Sequence, residues 1–259
     1  MTWALITDLH ANRQALEAVL SHAREQGVER FALLGDFVGY GADPAWVVEQ
    51  VQALQAQGAV AVQGNHDAAV AAGERPGMHA DARAVVEWTR QQLGPQSLRW
   101  LAELPLRVRE DAGLFTHANA YDPGGWDYVM GRSEAMRSLQ AARNAQARVN
   151  VCGHMHEPML YHLSGVGKAG DFRPQAGVRV PLPCHRQWLI IPGSCGQPRD
   201  GNPAACYAIW HPGDGVTEDG WIRFERVPYD VEAAADALRQ TTLPRPLAER
   251  LARRLLAGE

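Results

Sequence analysis

The chain has 259 residues, 46% of them hydrophobic and 21% charged, enough apolar material to bury a sizeable core without disulfides or a structural zinc. Its net charge of −4, with ten histidines counted neutral and no dominant Lys/Arg cluster, excludes the electrostatic footprint of a nucleic-acid binder. No run of apolar residues is long enough for a membrane span, and the start Met1-Thr-Trp-Ala-Leu-Ile-Thr-Asp8 lacks the basic region of a signal peptide, so the expected location is the cytoplasm.

In chain order, Trp3–Thr7 reads as a strand and Arg13–Gln26 as a helix, with Leu16, Val19, Leu20 and Ala23 on one face. Arg30–Leu34 is the next strand. Pro44 opens a second helix that buries Trp46, Val47, Val51 and Leu54, and Ala59–Val62 is a third strand. Helices follow over Ala80–Leu93 and Ser97–Glu103. This alternation predicts a mostly parallel sheet covered by helices. Gly113–Thr116 and Arg148–Cys152 are further strands, with a helix over Ser133–Gln146 between them. Beyond Pro158 glycine, proline and β-formers dominate. Met159–Leu163, Gln187–Ile191, Ala205–Trp210 and Trp221–Val227, separated by turn signals such as Pro212-Gly-Asp-Gly215, predict antiparallel hairpins. The C-terminal stretch returns to helix, broken near Leu243-Pro-Arg-Pro246. No repeat or linker divides the chain, so residues 1–259 are expected to form a single α/β domain, with Gly165–Arg186 a long insertion of mobile-loop character. Cys152, Cys184, Cys195 and Cys206 form no C-x-x-C pair and read as thiols in a reducing compartment, a disulfide between two of them being the less favoured alternative.

Five polar clusters each sit just after a strand: Asp8-Leu-His10, Gly35-Asp36, Gly64-Asn-His-Asp67, Thr116-His117 and Gly153-His-Met-His156. Taken singly, each is an ordinary turn or a satisfied core histidine. Together they converge, because in an open α/β sheet the carboxyl ends of the strands face one crevice. Asp, His and Asn make a mixed oxygen and nitrogen site suited to Mn, Fe, Zn or Co. Asp8 and His10 can reach one ion, whereas His154 and His156 can turn one ring to each of two. Asp36 is placed to bridge with its two oxygens, and this many ligands suits two ions better than one.

The ordered set Asp8-x-His10, Gly35-Asp36, Gly64-Asn-His-Asp67, His117 and Gly153-His-x-His156 resembles the calcineurin-like metallophosphoesterase superfamily over residues 1–160. Pro192-Gly-Ser-Cys-Gly-Gln-Pro-Arg199-Asp-Gly is similar to a segment of bacterial members regarded as phosphodiesterases. The resemblance implies a β-sandwich flanked by helices (αββα). It implies a first metal on Asp8, His10, Asp36 and His156, and a second on Asp36, Asn65, His117 and His154, with manganese the expected activator in vitro. His66 takes the place of a catalytic histidine that binds no metal, and Asp67 that of its orienting carboxylate. The implied reaction is attack on phosphorus by a hydroxide held between two cations, with His66 assisting the leaving oxygen. Ala11 and Met155 depart from the residues frequent in close relatives; they reshape the pocket without removing a ligand.

Substrate contacts are less determined. Asn12 either meets a phosphate oxygen or caps the following helix, and Arg199 either clamps a phosphate or lies at the surface. Tyr40 lines the pocket or packs. Tyr121 and Trp126 either stack on an aromatic leaving group or cover the core. The expected activity is hydrolysis of a small-molecule or nucleotide diester. The alternatives are a protein phosphatase, a dinucleoside polyphosphatase, or a binding module that has lost the chemistry. A structural zinc site is disfavoured by the absence of cysteine among the ligands. Sequence leaves substrate, metal identity and oligomeric state open; Leu247–Leu256 packs on its own sheet or on a partner.

Overall fold

Residues Trp3–Ile6 form the first strand, β1, and all of them are buried. Trp3 and Leu5 enter one apolar cluster, while Ala4 and Ile6 enter another on the opposite face, as the two-residue period of a strand requires. A strand buried on both faces must lie between two layers.

The computed structural model describes residues 1–73, 78–110, 113–214 and 218–259, so Gly215 of the expected turn lies outside the described residues. After β1 come α1 (Arg13–Glu25), β2 (Arg30–Leu33), α2 (Pro44–Ala56), β3 (Val60–Ala61), α3 (Asn65–Ala72), α4 (Ala80–Gln92) and α5 (Pro95–Glu103). Next are β4 (Arg107–Glu110), β5 (Gly113–Thr116), α6 (Arg132–Asn144), β6 (Val149–Val151), β7 (Pro158–Ser164) and β8 (Ala169–Phe172). The chain ends with β9 (Arg179–Leu182), β10 (Arg186–Pro192), β11 (Ala205–Gly213), β12 (Asp219–Val227), α7 (Val231–Gln240) and α8 (Arg245–Ala257). None of the described helices is long and apolar enough to cross a membrane.

Two six-stranded sheets result, one ordered β3-β2-β1-β11-β12-β9 and the other β4-β5-β6-β10-β7-β8. Trp3, Leu5, Ala208 and Trp210 of the first meet Phe115, Val151, Trp188 and Ile190 of the second in a shared apolar layer, and Trp3 stacks on Phe115 at 5.4 Å. The outer face of the first sheet is covered by Leu16 and Val19 of α1 with Val47 and Val51 of α2. That of the second is covered by Ala135 and Leu139 of α6 against Leu189 and Ile191. The expected helix-flanked sandwich is therefore present.

Three features differ from the reading by sequence. The sheets are mixed: β1, β2 and β3 run parallel, as do β5, β6 and β10, but β11 pairs antiparallel with β1 and extends that sheet through a hairpin with β12. The stretch Gly165–Arg186 is not one irregular insertion, since it contains β8 and β9, edge strands of opposite sheets. Both are short, and β9 carries Pro181, which an edge tolerates. The C-terminal helices pack on other helices of the chain rather than on a sheet. Leu238 of α7 and Leu247, Leu251 and Leu255 of α8 form a separate cluster with Val85 and Trp88 of α4.

Candidate metal centre

The loops that leave β1, β2, β5 and β6 meet the start of α3 at one end of the sandwich. Hydrogen bonds lace the first two loops together, from His10 N–H to Asp36 C=O at 2.8 Å and from Ala11 N–H to Phe37 C=O at 2.9 Å. Gly153 N–H donates to His117 C=O at 2.7 Å, tying the other two. Glycine is required where these loops touch. A Cβ on Gly64 would lie 2.2 Å from Asp36 Oδ1, and one on Gly153 would lie 1.8 Å from Thr7 Oγ1.

Strain accompanies this convergence. Asp8, His10, Asp36, His154 and His156 all have positive φ, between 47° and 68°. Each such non-glycine residue costs about 1–3 kcal/mol, and strain of this kind gathers where a site needs it.

The side chains form two groups whose donor atoms lie within 4.8 Å of one another: Asp8, His10, Asp36 and His156 in one, and Asp36, His117 and His154 in the other. Asn65 joins the second, its Oδ1 being 3.1 Å from His117 Nε2. Asp36 belongs to both through a single oxygen. Its Oδ2 is 3.7 Å from His10 Nε2 and 3.4 Å from His117 Nε2, while Oδ1 accepts the backbone N–H of His66 at 2.8 Å. Oδ2 thus faces both groups, while Oδ1 is engaged by the backbone of α3.

Each histidine is oriented by its far nitrogen. Nδ1 of His10, His117 and His156 faces the carbonyls of Val38 (3.2 Å), Leu34 (2.7 Å) and Gln197 (2.5 Å), and Nε2 of His154 faces that of Trp126 (3.0 Å). A carbonyl only accepts, so that nitrogen carries the proton, and in the neutral ring the other presents a lone pair inward. His10 Nε2 and His156 Nε2 are therefore 3.1 Å apart as two lone pairs, and Asp8 Oδ1, buried without a hydrogen bond, lies 3.2 Å from His156 Nε2. So many buried acceptors turned on one another fit divalent cations.

The electrostatics agree. Burial opposes the charge of Asp8, yet His156 beside it holds the carboxyl below the usual range; in Asp36 the same opposition is outweighed by His117 and His66. Burial likewise disfavours a charged His117, but Asp36 more than offsets this and holds it up at about 9. Burial, then the charge of His117, push His154 down to about 4.

His66 lies half-buried at the start of α3, its ring 4.6 Å from that of Tyr40 and 4.9 Å from that of His10. Asp67 does not orient that ring, which corrects the expectation. Its oxygens accept the N–H groups of Phe37 (2.9 Å), Val38 (3.3 Å) and Gly64 (2.9 Å), locking the Asp36 loop to the start of α3. Asn12 is likewise committed to the fold. It caps α1 through Ala15 N–H and donates to Gly196 C=O (2.9 Å) and the Tyr229 hydroxyl (3.1 Å), leaving no donor for a phosphate. Arg199 is half-buried beside the centre: its N–H meets His156 C=O at 3.3 Å, its Nε is buried without a partner, and its charge acts on Tyr40 and His66.

Tyr40 forms a wall of the site. Trp126 lies edge-on to His117 at 5.9 Å, while Tyr121 sits under the Arg137 guanidinium at 3.8 Å. Sequence reading missed Tyr128, whose ring, 43% exposed, stacks on His154 at 3.9 Å. Its only signal was the run of aromatics that follows His117.

Residues 1–215 match the family described as the calcineurin-like phosphoesterase superfamily domain. An uncharacterised protein of Methanocaldococcus jannaschii is 32% identical over 253 residues, 96% of each chain. The crystal structure of a metallophosphoesterase from Sphaerobacter thermophilus is similar over 100% of both chains, with 33% identity and a TM-score of 0.82. That of a hypothetical protein from Pyrococcus horikoshii OT3 has 19% identity and a TM-score of 0.72, over 96% of this chain and 97% of that one.

Proposed function

This chain belongs to the calcineurin-like phosphoesterase superfamily and is a phosphoric ester hydrolase; from that premise we propose that it cleaves diesters of small molecules or nucleotides. The observation that carries the hydrolase chemistry is the pair of donor groups sharing Asp36 Oδ2, each histidine held by a backbone carbonyl with its other nitrogen turned inward. Asp8, His10, Asp36 and His156 would hold one ion, and Asp36, Asn65, His117 and His154 the other. Two divalent cations bound there would supply an acidified water and neutralise phosphoryl oxygens. Manganese is the ion we expect to serve in vitro, and the four free cysteines suit a reducing compartment such as the cytoplasm.

The chain's own groups do the rest. His66 binds no ion in this reading; it donates a hydrogen bond, then a proton, to the departing oxygen. Burial lowers its pKa, with the charge of Asp36 opposing that shift, so a proton on the ring has to be held there by the incoming phosphate. Asp67 places His66 indirectly, by fixing the N–H of Gly64 against the Asp36 loop. Arg199 binds a phosphoryl oxygen through its half-buried guanidinium, which lies beside the centre.

The test uses metal-stripped protein resupplied with Mn²⁺, assayed on bis-p-nitrophenyl phosphate and p-nitrophenyl phosphate. Metal-dependent turnover that favours the diester is expected. His66→Ala should keep its metals and lose about 10²–10⁴-fold in kcat, whereas Asp36→Asn should lose metal and turnover together. Full activity in His66→Ala protein would sink that assignment, and preference for the monoester would sink the diester reading.

A further inference from the structure

A cavity of about 430 Å³ opens beside the metal centre between α3, α4 and α8, within the ~300–1,000 Å³ typical of small-molecule sites. Asn65 and His66 form its inner end. A group lying in it would be attached to the oxygen that His66 protonates. Ala69 of α3, Val85 and Val86 of α4, and Leu247 and Leu251 of α8 make its walls apolar. Tyr40 adds a flat ring, already packed on His66, and Met78 a polarisable sulfur. Such walls gain nothing from inorganic phosphate or a small alcohol, but they suit an aromatic ring.

Two arginines of α8 also reach the cavity. Arg250 is ion-paired with Asp81 at 2.5 Å. Arg254 is half-buried, forms no ion pair among the described residues, and its charge acts on the Tyr40 hydroxyl. A half-buried guanidinium without a carboxylate is a ready partner for an anion. Both arginines lie beyond residues 1–215, the part of the chain that matches the family description.

We propose that this cavity is the leaving-group site and that it takes a nucleotide, with the base among Tyr40, α4 and α8 and an anionic group on Arg254. The proposal rests on the hydrolase reading above. Water adds across the ester bond: its hydroxyl goes to phosphorus, the bond to the nucleotide oxygen breaks, and a proton reaches that oxygen by way of His66.

Equilibrium dialysis of the Mn²⁺-loaded protein with adenosine and adenosine 5′-monophosphate reads this binding whether or not any ester is cleaved. Both should bind, the monophosphate about tenfold or more tightly. Ala82→Trp fills the cavity from an exposed position on α4 and should weaken both by about tenfold or more. Arg254→Gln should leave adenosine binding in place and remove the advantage of the monophosphate. Unchanged metal content and Tm in each variant establish that the fold is intact. Undiminished binding in Ala82→Trp, or an advantage of the monophosphate that survives Arg254→Gln, overturns the proposal. The expected binding pattern without cleavage of any diester would sink the hydrolase reading instead. Cleavage without nucleoside binding would sink only the cavity's assignment.

Discussion

Asn12 shows how one residue of a ligand-bearing loop can serve the fold rather than the substrate. Its carbonyl oxygen caps α1, and its amide holds Gly196 C=O and the Tyr229 hydroxyl, residues far along the chain. Asn12→Ala should therefore destabilise the protein by about 2–4 kcal/mol, the sum of a lost cap and buried groups left without a partner. Urea denaturation measures this. Unchanged stability with a raised KM would instead restore Asn12 to the substrate. The same contrast explains what was legible in the candidate site. Donor type and spacing at strand ends marked the residues that now cluster. Asp67 and Asn12 were misjudged because their partners are backbone groups of other loops, which no local pattern encodes.

At the scale of elements, strong periodic segments were readable and weak ones were not. β1 and α1 carry unambiguous two-residue and helical periods, and their observed ends differ from the expected ones by a single residue. The helix α3 was missed because its sequence, Asn-His-Asp-Ala-Ala-Val-Ala-Ala, buries only Asp67 and Val70 and begins inside the polar motif. β4, β8 and β9 are short edge strands, exposed on alternate residues or half-buried along most of their length, so burial leaves little mark on them. The cluster of α4, α7 and α8 is apolar enough to hold the C-terminal helices in place, and with them the outer wall of the cavity. Leu238 lies in that cluster, 2% exposed. Leu238→Ala should cost about 2–5 kcal/mol in a urea titration, as buried leucine truncations do. A loss below about 0.5 kcal/mol, the range of surface substitutions, would mean that the C-terminal helices are held by something other than this packing.

For the molecule as a whole, the donors come from both sheets: Asp8, Asp36 and Asn65 follow strands of the first, and His117, His154 and His156 follow strands of the second. Cations bound between them would tie the two layers together, so metal should raise the Tm of the whole domain. The sign of the pH dependence follows from two histidines. His154 is held down at about 4, so in metal-free protein its contribution to stability is full above 6.5 and is lost as the pH falls through 4. His117 is held up at about 9, so its contribution is full below 6.5 and is lost as the pH rises through 9. The pair thus places the stability maximum of metal-free protein near pH 6.5. Metal binding needs His117 without its proton, so affinity should rise with pH up to about 9. The gain in Tm on adding Mn²⁺ should then widen between about pH 6.5 and 8.5, as scanning calorimetry with and without the metal would record. Calorimetric titrations near neutral pH in buffers of different ionisation enthalpy should also show about one proton released as the His117 site fills. A gain in Tm that stays flat across this range, with no proton released, would mean that His117 does not surrender a proton to a metal.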